Sequence, residues 1–300
     1  MIENCPQSLQ IKTTMLPYVA AAVTILIWGA TPAATRIAVL EMDPLAAAVM
    51  RTLVAGLLVV PFVLRPRTPR PQSAQHWWLL SLVAMSGFVG FTMLFSLGVK
   101  MTSASHSALI NASIPLFSGF FGVVLAKSMP GPRWFYGITM SFAGVIYLIT
   151  SADSNGGTSS LIGDALCLLS SMCAGLGYVA GSRLSETIGT LTVTFWGVLI
   201  AALIQLPVIF FLWDIQDMSA VSLKGWLAVG YLALGASLIA YATWYWALAK
   251  GGVIRIAPMQ FLMPVVSLTL AVVVFGETLT VPLLISAVMI VAGVFLSRKG

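Results

Sequence analysis

Ten runs of apolar residues, most of them about 20 residues long, leave this chain few folds to choose from, because a segment of that length is what a helix needs to cross the ~30 Å hydrocarbon core of a bilayer. The runs are Met15–Val39, Pro44–Leu64, Trp77–Val99, Thr102–Ala126, Trp134–Thr150, Leu161–Ser182, Leu191–Trp213, Leu223–Ala249, Val253–Phe275 and Val281–Leu296. Most connections between them are a few residues, so successive helices must lie antiparallel in one bundle. No stretch is long or polar enough for a separate soluble domain. The composition points the same way: 59% of the 300 residues are hydrophobic and 8% are charged, against about 25% charged in an ordinary soluble domain. A soluble globule, a disordered chain and a disulfide-built secreted domain are excluded.

Orientation follows from the basic residues. Let side A be the side on which the chain starts. Side A then carries Lys12, Arg65, Arg67, Arg70, Lys127, Arg133, Arg183, Lys250, Arg255, Arg298 and Lys299, and side B carries Arg36, Lys100 and Lys224. Eleven against three places side A in the cytoplasm. The first apolar run reads as a retained helix and not as a cleaved signal. The net charge of +6 is therefore a topology signal, with no basic helix face to suit nucleic acid. Cys5, Cys167 and Cys173 form no CxxC and have no histidine close by, so neither a metal nor another cofactor is expected.

The longest interior polar break, apart from the Arg65–His76 loop, is Ser151–Gly163. It divides the ten runs five and five, giving expected repeats over 1–155 and 156–300. At a shift of 149 residues Pro115 falls on Pro264, Ser118 on Ser267, Asn111 on Gln260, His106 on Arg255, and Ala143-Gly144-Val145 on Ala292-Gly293-Val294. Five is odd, so the second half must enter from the opposite side. The expected fold is an all-α membrane protein of ten transmembrane helices, arranged as two inverted-topology five-helix repeats, with both termini cytoplasmic. Such repeats recur in secondary transporters, where substrate binds near the midplane between the halves.

The residues also carry a family pattern: Ile27-Trp28-Gly29-Ala30-Thr31-Pro32 in the first run, Arg51-Thr52-Leu53-Val54-Ala55-Gly56 in the second, Ala257-Pro258, Leu262-Met263-Pro264-Val265, and Phe275-Gly276-Glu277-Thr278-Leu279 in the ninth. This resembles the EamA domain of the drug/metabolite transporter superfamily over nearly the whole chain, and within it the YddG-type bacterial exporters of amino acids and metabolites. The resemblance implies a multi-pass inner-membrane exporter. One departure is plain: where the family often repeats its Gly-Glu pair at the end of the fourth helix, this chain has Lys127 and Ser128.

Catalysis has no foothold. There is no GxxxxGK[ST] loop, HExxH, paired mid-membrane carboxylates or Ser/His/Asp set. Polar residues within the spans are more informative. Ser103, Ser107, Asn111 and Ser118 share a stripe of the fourth helix with Pro115, and His106 lies at its edge. Such a stripe either lines a wet cavity or bonds to a neighbouring helix. Gln260, Pro264 and Ser267 repeat the pattern in the ninth helix. Asn111 and Gln260 could grip a zwitterion without fixed charge, since an amide both donates and accepts. Pro115 and Pro264 are expected to remove a mid-span hydrogen bond and permit a kink or a gating hinge. Trp28, with Thr31 on the same helix, is too deep for an interfacial belt, and either packs between helices or walls a cavity. Tyr178 and Tyr241 are cavity candidates, while Phe91 and Phe95 read as packing. Arg51 is expected to snorkel or to pair with Glu41 or Asp43, with substrate contact as the alternative. Glu277 reads as a gate or structural residue at the side-B end.

Substrate-binding residues are thus expected at Trp28, Thr31, Ser107, Asn111, Tyr178, Tyr241 and Gln260, and gating or structural ones at His106, Pro115, Pro264 and Glu277. With no carboxylate at the midplane, the expected mechanism is facilitated alternating access by a monomer in the lipid bilayer. Its expected partners are small molecules, aromatic and neutral amino acids first. Sugar phosphates, lipophilic drugs and a non-transporting receptor are the alternatives.

Overall fold

A backbone in hydrocarbon has to satisfy its own hydrogen bonds, and helices do so within one segment. In the computed structural model, every apolar run is mainly helical where it is described, and no strand occurs among the described residues. Those residues are 7–65, 68–126, 131–151, 160–212, 217–251 and 256–297. Lys12 has no described side chain, and Arg67, Lys127, Ser128, Arg255, Arg298 and Lys299 lie outside the described residues.

Among the described residues, seven helices are long and apolar enough to cross a membrane: α1 (Met15–Glu41), α2 (Pro44–Val63), α3 (Ala74–Met101), α4 (Ala104–Val124), α5 (Pro132–Ser151), α6 (Leu161–Ile188) and α8 (Leu223–Trp244). Three shorter apolar helices stand beside them: α7 (Thr190–Gln205), α9 (Met263–Phe275) and α10 (Val281–Ser297). The seventh and ninth runs are therefore not single α-helices from end to end. Pro207, which has no N–H to donate, separates α7 from a short helix at Val208–Leu212, and a 3-10 stretch over Ala257–Leu262 precedes α9. Starts are set by side chains that accept from orphan N–H groups. Asp43 caps α2, Ser73 α3, Ser103 α4, Ser160 α6 and Ser222 α8. Gly189 alone joins α6 to α7, at φ 82°, a conformation that favours glycine.

The outer face of the bundle is apolar: Leu57, Phe210 and Val273 are about three-quarters exposed. Inside, small residues let some helices approach closely, as lipid-embedded packing favours. A Cβ on Gly56 would strike Ala202, and one on Gly177 would meet the backbone of Gly87. The chain is a multi-pass membrane protein.

Helix pairing carries a second regularity. α1 packs on α8 and α3 on α6; α2 packs on α7, α4 on α9 and α5 on α10; α1 also packs on α9 and α4 on α6. This set is unchanged when each helix is exchanged with the one five places later. The same equivalence appears within helices. α3 widens into π-helical hydrogen bonding over Val83–Gly90, and α8 does so over Tyr231–Ile239. Pro115 and Pro264 are equivalent too, but neither kinks a continuous helix as the sequence leads one to expect. The α-helix of α4 breaks at Ala112-Ser113 and restarts at Ile114; α9 restarts at Met263 after its 3-10 stretch. Each proline thus occupies the first turn of a new helical segment, where the missing N–H costs little.

Candidate functional site

A cavity of about 700 Å³ lies between the halves, lined among others by Trp28, Asn111, Pro115, Ser118, Tyr178, Tyr241, Trp244, Gln260 and Pro264. It reaches side A, where Trp134 near the start of α5, Arg183 near the end of α6 and Ser297 at the end of α10 complete its wall. The volume falls within the range usual for small-molecule sites, ~300–1,000 Å³. Tyr178 is 38% exposed although it stands ten residues short of the end of α6, because the cavity extends to it.

One wall is aromatic. The Trp28 ring meets Tyr241 edge-on at 5.1 Å between centroids and tilts against Trp244 at 5.8 Å; Tyr241 in turn lies 6.4 Å from Phe88. Trp28 Nε1 donates to the Ala236 carbonyl at 3.0 Å, inside the widened part of α8. Trp28 therefore both packs between α1 and α8 and walls the cavity. Tyr178 and Tyr241 share a side-chain hydrogen bond. The other wall presents Asn111 and Gln260, the two amides related by the repeat. Asn111 Oδ1 is buried and has no hydrogen-bond partner. A buried acceptor left unsatisfied costs ~1–3 kcal/mol.

Two expected binding residues lie outside this lining. Ser107 is fully buried and donates to the Ala104 carbonyl; Thr31 is 5% exposed and donates to the Ile27 carbonyl. Ser107 stands on the face of Asn111 but one helical turn nearer side B, in the buried first part of α4, so of the polar stripe only Asn111, Pro115 and Ser118 meet the cavity. Phe91 and Phe95 stack at 5.3 Å, with Phe95 fully buried, as packing residues should. Trp134, Ser182, Arg183, Trp244 and Met263 line the cavity without having stood out as binding candidates; Arg183 counts in sequence only as a topology charge.

Side B is sealed. The Glu277 carboxylate accepts from Ala104 N at 2.7 Å, Ser105 N at 2.8 Å and Ser105 Oγ, capping α4 from beyond the end of α9. Gly276, at φ 66°, makes the left-handed turn that brings Glu277 there. This is the structural content of the Gly-Glu pair. His106 Nδ1 bonds Asp164 at 2.9 Å, and Thr102 donates to the other oxygen of that fully buried acid. Arg36 donates to the carbonyls of Val99, Lys100 and Thr102, and Lys100 donates back to Val39 at 2.6 Å. Two of the three side-B cations thus neutralise the negative ends of α1 and α3. Neither His106, Asp164 nor Glu277 touches the cavity. Glu41 accepts from Ser222 at 2.7 Å and Asp43 caps α2, and neither pairs with Arg51; the expected pairing is not made.

Residues 15–150 and again 161–298 match the family described as "EamA-like transporter family". The chain is 33% identical over 254 residues to "Uncharacterized transporter YdeK" of Bacillus subtilis (strain 168), covering 84% of this chain and 86% of that one. It is 26% identical over 293 residues to the "Probable amino-acid metabolite efflux pump" of Salmonella typhimurium, covering 93% and 94%. It is 28% identical over 262 residues to "Uncharacterized inner membrane transporter YedA" of Escherichia coli (strain K12), covering 85% and 81%. A solved crystal structure superposes with a TM-score of 0.63 over 96% of this chain and 98% of the other, at 20% identity, which speaks to the fold alone.

Proposed function

Because the chain belongs to the EamA-like transporter family, we propose that it exports amino acids, aromatic and neutral ones first, and related small metabolites across the inner membrane. Transport is by alternating access between two inverted five-helix halves over 1–155 and 156–300, with side A and both termini in the cytoplasm. The observation that carries this reading is the cavity of about 700 Å³: it lies between pseudo-equivalent helices and opens toward side A, while hydrogen bonds join the halves at side B. In that orientation it faces the cell's own metabolite pool. Aromatic rings along one wall suit an apolar or aromatic side chain, and the Asn111 and Gln260 amides suit its polar end.

The transport is facilitated. The buried acid Asp164 is held by His106 and Thr102 in the side-B seal, and no acid among the described residues lines the cavity. Substrate transit therefore moves no carboxylate through the site. The purified protein in liposomes is expected to equilibrate phenylalanine and leucine down their gradients, and a pH gradient alone is expected to produce no accumulation. Uphill accumulation driven by that gradient contradicts the mechanism. Carriage of sugar phosphates with no amino acid moved contradicts the substrate class.

Asn111→Ala removes the unpartnered acceptor. Its expected effect is an apparent affinity for amino acids weaker by about tenfold, since one hydrogen bond to a charged group contributes ~1.5 kcal/mol. Counterflow titration measures it, and an unchanged half-saturation removes Asn111 from the site.

A further inference from the structure

Arg51, a cation inside the bundle, has no counter-charge among the described residues. Arg51 is the eighth residue of α2, roughly 10 Å from the side-B end at ~1.5 Å per residue, and it is 8% exposed. The acids at that end are engaged elsewhere, Asp43 with the first turn of α2 and Glu41 with Ser222. Among the described residues no carboxylate pairs with the guanidinium, and its Nε has no hydrogen-bond partner. Its surroundings are aromatic. The Phe91 centroid lies 5.9 Å from Cζ, and the hydroxyls of Tyr241 and Tyr178 are within its electrostatic reach. Those two tyrosines are also wall residues of the cavity.

A buried guanidinium left without an anion is costly, and the faces of aromatic rings offset only part of that cost. Charges kept within membrane spans face paths along which something moves. The group that suits this one is a carboxylate, because the planar fork of arginine matches two carboxylate oxygens at once.

We propose that Arg51 is the carboxylate-recognition residue of the transport path, reached past the hydrogen-bonded Tyr178–Tyr241 pair. The inference rests on the reading of the chain as an amino-acid exporter and assigns the two poles of the substrate. Asn111 Oδ1, an acceptor without a donor, suits the ammonium group; Arg51, a donor without an acceptor, suits the carboxylate. The same cation repels amines that lack a carboxylate, so it selects as well as binds.

The test uses the full chain in liposomes, with phenylalanine counterflow competed by 3-phenylpropionate, which keeps the carboxylate, or by phenethylamine, which lacks it. The wild type is expected to be inhibited by 3-phenylpropionate at concentrations at least about tenfold lower than by phenethylamine. Arg51→Gln is expected to reduce that preference to within about threefold, and Arg51→Lys, which keeps the charge without the fork, to fall between. Equal competition by the two compounds in the wild type overturns the proposal, even if Arg51→Gln cannot be reconstituted. An undiminished preference in Arg51→Gln overturns it as well. Quenching of tryptophan fluorescence by the same two compounds separates the two readings. Arg51-dependent quenching by 3-phenylpropionate in a protein that carries no amino acid defeats the export reading and leaves this assignment standing. Amino-acid transport with no Arg51-dependent preference does the reverse.

Discussion

Glu277→Ala is expected to open side B. The carboxylate accepts from two backbone N–H groups and one hydroxyl at the start of α4, where no carbonyl of that helix can reach and the helix dipole is positive. These bonds tie the connection between α9 and α10 in the second half to the first half. A hydrogen bond to a charged group is worth ~1.5–3 kcal/mol, and three on one carboxylate are not additive. About 3 kcal/mol for the set gives a shift of roughly 100-fold. The direction follows from solvation: once the carboxylate is gone, the N–H groups of Ala104 and Ser105 find partners only in water, which the open state admits. Ser107→Cys in a background without the native cysteines reports the change, because position 107 is fully buried when side B is closed. Its alkylation by a membrane-impermeant reagent from side B is expected to rise by up to about 100-fold when Glu277→Ala is added. Equal rates in the two backgrounds dismiss the latch. Glu277→Gln, which keeps an acceptor and loses the charge, is expected to lie between.

Gly293→Val is expected to separate α5 from α10. A Cβ at position 293 would lie 2.5 Å from the Gly137 carbonyl oxygen and 2.7 Å from Ser141 N, and would collide with the Ser141 hydroxyl. Two of the three obstacles are backbone, so no rotamer change relieves them. The reciprocal approach is as close, with a Cβ at Gly137 falling 2.5 Å from the Gly293 carbonyl. The contact exists because both helices present small residues at one level, and Ser141 bonds across it to the Ile290 carbonyl at 3.1 Å. Overpacking costs ~1–3 kcal/mol, and valine at a backbone contact belongs at the upper end. The thermal midpoint in detergent is expected to fall by about 5–10 °C. Gly230→Ala, whose Cβ would meet nothing within 4 Å, is expected to leave it unchanged. Similar losses in both variants would mean that crowding at this contact is not the cause.

Much of the site was legible in the sequence. The match of Asn111 to Gln260 at one shift marked two amides that the structure places on one cavity. Trp28 stood out by its depth, and Tyr178 and Tyr241 by theirs. Trp134 and Trp244 did not, because an aromatic near a helix end reads equally as an interfacial belt. Arg183 was hidden by its role in the positive-side count. Ser107 was misleading because it shares the face of Asn111 but lies one turn nearer side B, beyond the cavity. The bond from His106 to Asp164 crosses from α4 to α6, 58 residues apart, and no spacing within one helix reports it.

The sequence by itself determined that the chain is helical, that it lies in a membrane and that its two halves correspond. Each of these follows from local hydrophobic length or from self-similarity along the chain. Which side of the bundle is open, which polar groups are left without partners and which acids seal side B were decided by the tertiary structure alone. Helical periodicity fixes the direction in which a side chain leaves its own helix. What it meets there belongs to another helix, and in this fold most often to the other half.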